Sequence, residues 1–557
     1  MPDLTNGHSA VDQWQTLSTL PATDLRAILM QEQTHMCALR DQMSSTQHKI
    51  DMIKTMLSPF TRLPQELVSE IFQFYCGAQG AVYDEFQQRK SRTRPSKVDP
   101  DRIVSGIDTI PPQLILASVC QFWRSVAHET HSLWKDLTVY IQSGKFSSHN
   151  DLIEEWITHS GEVLPLDIRI VVPKGKGQAT RSILDSILPF SNRWRRLELF
   201  APLQTLLPLL SDALDVPLLE HVSMDICHIT ESSMQTYEWN PFYTMHKRFP
   251  TFMVAPKLHS FKCGISFDTN QEFIFDLSLD FLSIIPPYEQ VTELSVEGDA
   301  YFPDNRGGLR FVSLFQNLIS CSIKVYPGAC YSEIPIPLTL PKLCTLSVTV
   351  EDPNDAVHFF RQLTLPELKA LKLRIDREVN FGTDTFGELL RMQARSSCVL
   401  EELSLHDSTT GANLFEFLQT LTSLRSLTVY ESHSFRIQDL IPWLANQPPL
   451  HRRVQCDNGL PNLKELHLLT GSVLKNGNGE PLTGLADIVY ERCNHVEDET
   501  SPRQKLEILE VQTTLVAFDN MEQDEYDALG LFMQQGLKVR LNQWMPNGSL
   551  CYIGDDL

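Results

Sequence analysis

The sequence predicts an α/β protein: N-terminal helices followed by an irregular repeat solenoid whose short strands run parallel. Three observations carry this prediction. Apolar residues fall on two heptad rows between Leu25 and Leu57. Two further helical patterns follow, around 63–74 and 114–128, with a polar stretch between them. From about residue 190 a Leu-x-x-Leu-x-Leu unit recurs eleven times, with helix-like stretches between the units.

Residues 1–21 are polar without a clear period and read as a flexible tail. The heptad helix takes 22–58. Leu29, Met36, Met43, Ile50 and Leu57 form one row, and Leu25, Glu32, Leu39, Thr46 and Ile53 form the other. Thr23-Asp24 offers a helix start, and Ser58-Pro59 ends it. Glu32 and Thr46 interrupt the seam, so two readings stay open. The helix packs on its own protein, or it forms a coiled coil with a partner, a homodimer through 25–57 among them.

The next segment, 59–140, opens with Pro64 in the first turn of a helix, where its missing N–H costs nothing. Leu67, Ile71 and Phe74 then fall on one face. An insertion at about 76–111 carries Arg89, Lys90, Arg92, Arg94 and Lys97. Such a cluster is a nuclear import signal or, more often, a solvated loop. In the second helical pattern Leu116, Val119, Cys120, Trp123 and Ala127 share a side, and Leu133 and Trp134 close the segment.

The repeat region spans 141–545. Its units run from Trp194/Leu197/Leu199 to Leu506/Leu509/Val511, usually with a Pro ahead of the first position. The last two apolar residues of each unit alternate, so both point to one side of a short strand. Stretches such as 356–363, 385–392 and 413–418 supply helices between strands. Strand plus helix with right-handed crossovers stacks into a parallel solenoid. The first positions are spaced 24 to 43 residues apart. The shortest spacings match leucine-rich repeats, and the longer ones need insertions. Residues 546–557 read as a C-terminal tail.

Composition narrows the function classes. The chain has 557 residues, with 47 Lys+Arg against 69 Asp+Glu and a net charge of −22. So acidic a surface repels phosphate backbones and anionic lipid, which excludes nucleic-acid and membrane partners. The N-terminus has no basic n-region and no apolar h-region, so a secretory signal is not expected. Twelve cysteines without a C-x-x-C pair read as thiols in a reducing compartment, the cytoplasm or the nucleus. No phosphate loop, H-E-x-x-H, G-x-S-x-G or zinc-ligand spacing occurs. No catalytic residue, metal or cofactor is therefore expected.

Leu63-Pro64-Gln-Glu-Leu67-Val-Ser-Glu-Ile71-Phe72, then Leu116-Ala-Ser-Val119-Cys120-Gln-Phe-Trp123-Arg124 and Leu133-Trp134, resemble the F-box. The form is that of fungal F-box-like proteins, which also carry a long insertion between the two halves and a preceding heptad helix that runs into Leu-Ser-Pro, here Leu57-Ser58-Pro59. The resemblance implies a receptor subunit of a cullin–RING ubiquitin ligase. Its box would dock a Skp-family adaptor and, through it, a cullin, while C-terminal leucine-rich repeats hold a protein substrate. By motif match the adaptor-facing positions are Leu63, Pro64, Leu67, Ile71, Val119, Cys120, Trp123 and Trp134, some of which must instead be the box's own core. The alternative is a leucine-rich-repeat interaction scaffold without a ligase role. Two departures stand out. The insertion is nearly forty residues long, and the repeats lack the Asn that usually follows the last Leu.

If the strand leucines face the core, the residues between and beside them face outward and form the substrate-binding side. Lys324, Lys372 and Arg374 place a basic spot there, with His406 and Tyr430 on the following strands. A basic spot among small residues would suit an acidic or phosphorylated segment. The alternative is an ordinary solvated face.

Overall fold

The computed structural model describes residues 20–57, 59–77, 111–140, 147–172, 183–202, 214–229, 254–267, 287–298, 312–325, 338–375, 384–406, 413–431, 437–445, 460–470, 484–494, 504–514, 523–544 and 550–552, with a few isolated positions between them. The tail before residue 20 and the basic cluster at 89–97 lie outside these residues. The protein is mixed α/β, an N-terminal helix followed by a large parallel sheet. It divides into two compact units, one of residues 1–134 with 158–161, the other of residues 135–157 and 162–557.

The first unit begins with helix α1 (Ala22–Leu57). Its residues are exposed along the helix, and the heptad rows run from 36% exposed at Leu25 to 73% at Met43. Among the described residues the apolar side chains of the seam stay open to solvent. After a short 3-10 turn (Pro59–Arg62) come α2 (65–77), α3 (Pro112–Val119), α4 (Gln121–Glu129) and a second 3-10 turn (His131–Trp134). Val68 and Phe72 of α2, Leu116 and Ala117 of α3, and Val126 and Ala127 of α4 are buried together with Leu133 and Trp134. Polar contacts set the pairing of α2 with α4. Gln65 donates to Glu129 at 2.6 Å, Ser69 meets Thr130 at 2.8 Å, and Phe72 lies 5.0 Å from Trp123. The start of α2 thus lies beside the end of α4, so the two helices run antiparallel.

The second unit is built on one fifteen-stranded sheet whose strands follow chain order. They are β1 (Asp136–Tyr140), β2 (Leu166–Val171), β3 (Trp194–Pro202), β4 (His221–Ile229), β5 (Ser260–Phe267), β6 (Glu293–Gly298) and β7 (Ser320–Val325). The separate two-stranded pair is β8 (Leu338–Thr339) with β10 (Leu363–Thr364). The main sheet continues through β9 (Thr345–Val350), β11 (Ala370–Ile375), β12 (Glu402–His406), β13 (Ser426–Glu431), β14 (Glu465–Thr470), β15 (Ile508–Thr514) and β16 (Lys538–Trp544). Every pairing in it is parallel until β17 (Leu550–Tyr552), which returns antiparallel on β16. That last strand falls inside the segment read from sequence as a tail.

The register follows the repeat. The second positions of the eleven units, from Leu197 through Val222, Phe261, Leu294, Cys321 and Leu346 to Leu509, are direct partners from strand to strand. All of them are buried, as are the first and third positions. Each large apolar side chain so buried contributes about 1.5–3 kcal/mol relative to exposure. The leading prolines have a local role. The N–H of the first position donates to a carbonyl three residues back, at 3.2 Å for Leu219 to Val216, 3.2 Å for Leu258 to Ala255 and 3.3 Å for Leu368 to Leu365. Pro217, Pro256 and Pro366 occupy the second position of those turns, where a fixed φ is favoured. From Glu220 to Lys464 the residue after each first position then accepts two N–H groups from the next unit. Lys369 O, for example, takes Glu401 N at 2.8 Å and Glu402 N at 3.0 Å.

Helices fill the connections in the C-terminal half: α6 (Pro353–Arg361), α7 (Thr385–Ser396), α8 (Leu414–Thr420), α9 (Ile437–Leu444), α10 (Leu485–Asn494) and α11 (Gln523–Gln534), with α5 (Ser147–His159) earlier in the chain. Asp352 and Asp384 cap α6 and α7 by accepting Asn354 N at 2.7 Å and Gly387 N at 2.9 Å. Three arginines donate to backbone carbonyls about thirty residues away in the chain. Arg193 donates to Leu164 O at 3.0 Å, Arg395 to Leu363 O at 2.8 Å and Arg492 to Leu460 O at 2.6 Å.

Candidate functional site

Two surfaces carry the predicted site residues, one in each unit. In the first unit the structure separates residues that the sequence could not. Trp134 is buried, and its indole Nε1 donates to Ala127 O at 2.7 Å, so it belongs to the core and not to a surface. Leu63 and Trp123 are half-buried, and Trp123 stands between Phe60 at 5.1 Å and Phe72 at 5.0 Å. Cys120 acts as the N-cap of α4, its Sγ accepting Trp123 N at 3.5 Å. That contact gives Cys120 a structural role, while the bond reaches the backbone N–H of Trp123 and does not involve the Trp side chain.

Pro64, Leu67, Ile71 and Val119 are exposed. Leu67 is 46% exposed, Ile71 43% and Val119 55%. Phe74, one turn beyond Ile71, is 80% exposed, and Ile115, one turn before Val119, is 40% exposed. Both helices thus carry apolar side chains on positions their own core does not use. The sequence pattern sets Phe74 on this face, whereas Ile115 falls outside it because Leu114-Ile-Leu-Ala117 is an unbroken apolar run without a period. Near the α2–α4 contact the Gln65 amide, followed by the Ser125 hydroxyl, holds the exposed Glu129 carboxyl below its ordinary pKa.

In the second unit the predicted outward positions come together by register. Thr349 on β9 pairs with Lys324 on β7 and with Arg374 on β11, and Arg374 pairs with His406 on β12. His406 stacks on Tyr430 with ring centroids 3.5 Å apart, and its Nε2 lies 3.1 Å from Ser404 Oγ. Lys372 is exposed between Ser347 and Ser404. Lys324, however, lies 3.8 Å from Glu351, with both side chains mostly covered. Its charge is offset locally. Farther along, His467 meets Glu510 at 2.9 Å on neighbouring strands, a pair that sequence reading missed because it depends on cross-strand register.

Burial pushes the Cys263 and Cys321 thiols up to about 12, so both stay protonated ladder residues. Among the described residues no cluster of three or more His, Cys, Asp or Glu side chains could hold a metal ion. No described helix is long and apolar enough to cross a membrane. No protein-family model matches the chain, and no curated protein matches it either.

Proposed function

We propose that the protein is a non-catalytic substrate receptor, an F-box protein of a cullin–RING ubiquitin ligase acting in the cytoplasm or the nucleus. In this reading the helical first unit docks the Skp-family adaptor and thereby a cullin. The second unit is an irregular leucine-rich-repeat solenoid whose outward strand row receives a protein substrate. The observation that carries the proposal is the division of labour inside the motif. Val68, Phe72, Leu116 and Trp134 make a core, while Leu67, Ile71 and Val119 of the same motif stay exposed. A helical unit that completes its core and still leaves apolar side chains in solvent is suited to a partner. The successive register partners of the sheet support the repeat reading.

The test is copurification. The chain should capture the adaptor and a cullin, and Leu67→Asp combined with Ile71→Asp should abolish capture while circular dichroism stays unchanged. Buried anchors in such interfaces cost about 2 kcal/mol or more on truncation, a loss of roughly 30-fold or greater. A folded double variant with undiminished capture refutes the assignment. An interaction scaffold without ligase role is distinguished by its captured protein: under proteasome inhibition a ligase substrate accumulates, and a scaffold partner does not change.

A further inference from the structure

Helix α1 leaves an apolar seam exposed over 36 residues, about 54 Å at ~1.5 Å per residue. A helix that buries none of its apolar stripe gains little beyond its own hydrogen bonds, so such a seam is stable when covered. The residues flanking it indicate what covers it. With Leu29, Met36, Met43, Ile50 and Leu57 as a positions and Leu25, Glu32, Leu39, Thr46 and Ile53 as d positions, the e row reads Arg26, Gln33, Arg40, Gln47, Lys54. The g row reads Ile28, His35, Gln42, Lys49, Met56. No acidic residue stands in either row. The acids Asp24, Asp41 and Asp51 lie on the outer positions, and the remaining one, Glu32, lies in the seam itself.

Self-pairing fails in both orientations on this pattern. A parallel pair sets Lys49 against Lys54 of the other copy, His35 against Arg40, and Glu32 against Glu32. An antiparallel pair centred on the seam sets Arg26 against Lys54, Arg40 against Arg40 and His35 against Lys49. Neither arrangement yields one pair of opposite charges on its flanks, and like charges directly opposed destabilise. Thr46 presents no such problem, because its hydroxyl already donates to Gln42 O at 2.9 Å.

We propose that α1 is one half of a coiled coil with a different protein, whose heptad helix carries Glu or Asp along its e and g rows. This does not rest on the ligase reading. The seam supplies the apolar contact, and Arg26, Arg40, Lys49 and Lys54 select an acidic partner and reject a second copy.

The experiment uses the full chain and two labelled synthetic heptad peptides, alike at a (Ile) and d (Leu), one with Glu at every e and g and the other with Lys there. Sedimentation of the chain alone should give a monomer at micromolar concentration. Fluorescence anisotropy should show the Glu peptide binding about tenfold or more tighter than the Lys peptide, with the difference shrinking as salt rises. Leu39→Asp should abolish binding of the Glu peptide. A chain with Arg26, Arg40, Lys49 and Lys54 all changed to Glu should prefer the Lys peptide, which a merely sticky seam would not do. Equal affinity for both peptides, binding of neither, or a dimer of the chain that Leu39→Asp dissociates would each overturn the proposal.

Discussion

The two units treat apolar side chains in opposite ways. In the sheet unit the second and third residues of each repeat are matched by buried residues on the next strand, so Leu371 stands between Leu346 and Leu403 and all three are buried. In the helical unit Val68 and Phe72 are buried, while Leu67 and Ile71, one residue away from each, are open. Neighbouring strands set these side chains in rows on one face, and the face as a whole is withdrawn from water. The helices have finished their core and carry apolar surface to spare. Exposed leucine in the first unit and buried leucine in the second are therefore different statements, although both come from regular spacing.

The sharpest way to break this comparison is to truncate matched residues on each side. Trp134→Ala should cost about 3–5 kcal/mol, since a core indole and its hydrogen bond to Ala127 are lost together. Leu371→Ala should cost about 2–5 kcal/mol. Leu67→Ala should change stability by no more than about 0.5 kcal/mol. Urea unfolding followed by fluorescence and far-ultraviolet dichroism measures all three. A Leu67→Ala variant as unstable as Leu371→Ala would mean that the open face is in fact core, and the contrast would collapse. Next in size is the loss of adaptor capture by Leu67→Asp with Ile71→Asp, about 2 kcal/mol in binding with unfolding unchanged.

The sheet was the more legible half. Leu-x-x-Leu-x-Leu fixes both strand position and register, because the period of two leaves no freedom once one face must be buried. The reading still missed the ends. Ile168-Arg-Ile170 and Val539-Arg-Leu541 continue the ladder as partners of Leu197 and Leu509, but Pro165 and Gly536 stand where the unit has its first apolar residue. Trp134-Lys-Asp-Leu137-Thr-Val139 keeps the same spacing as Trp194-Arg-Arg-Leu197-Glu-Leu199, yet its Trp had already been taken for the motif before it. In the helical unit the sequence names the apolar positions and leaves open which of them are covered. A helix of 3.6 residues per turn places Val68 and Leu67 about 100° apart, and which of the two meets a neighbour depends on where α4 packs. The offset of Lys324 by Glu351 was hidden for a related reason: the two residues are 27 apart in the chain and meet only across the sheet.

A smaller effect tests how the helices join the sheet unit. A Cβ at Gly387 would lie 2.0 Å from the Asp384 carboxylate, which caps α7 through Gly387 N and also accepts Asn413 Nδ2 at 2.5 Å. Gly387→Ala must push that carboxylate aside. The lost cap should cost about 1 kcal/mol, against the gain alanine normally brings to a helix interior. Asp384→Ala should cost a similar amount, and the double variant should be no worse than either alone. Additive losses would mean that the glycine is required for something other than the cap.

The smallest expected effect is a pH dependence located on β4. His221 lies in register between Arg196 on β3 and Ser260 on β5, and its ring meets His259 edge-on at 4.6 Å. Burial first, then the Arg196 guanidinium and the His259 imidazole, lowers the His221 pKa, and Glu293 and Glu220 oppose the shift without reversing it. With the folded value depressed, the unfolded chain takes up the proton first as the solution is acidified. Stability is then unaffected well above the usual histidine value of about 6.5 and falls as pH drops below it, until the folded form is protonated too. His221→Gln removes this titration while keeping a polar side chain on the strand. Between about pH 7 and about pH 5 the melting temperature of the unaltered protein should fall further than that of the variant, and the two should draw level near neutrality. Parallel curves across that window would show that the half-buried ring is solvated well enough to titrate as it does in the unfolded chain.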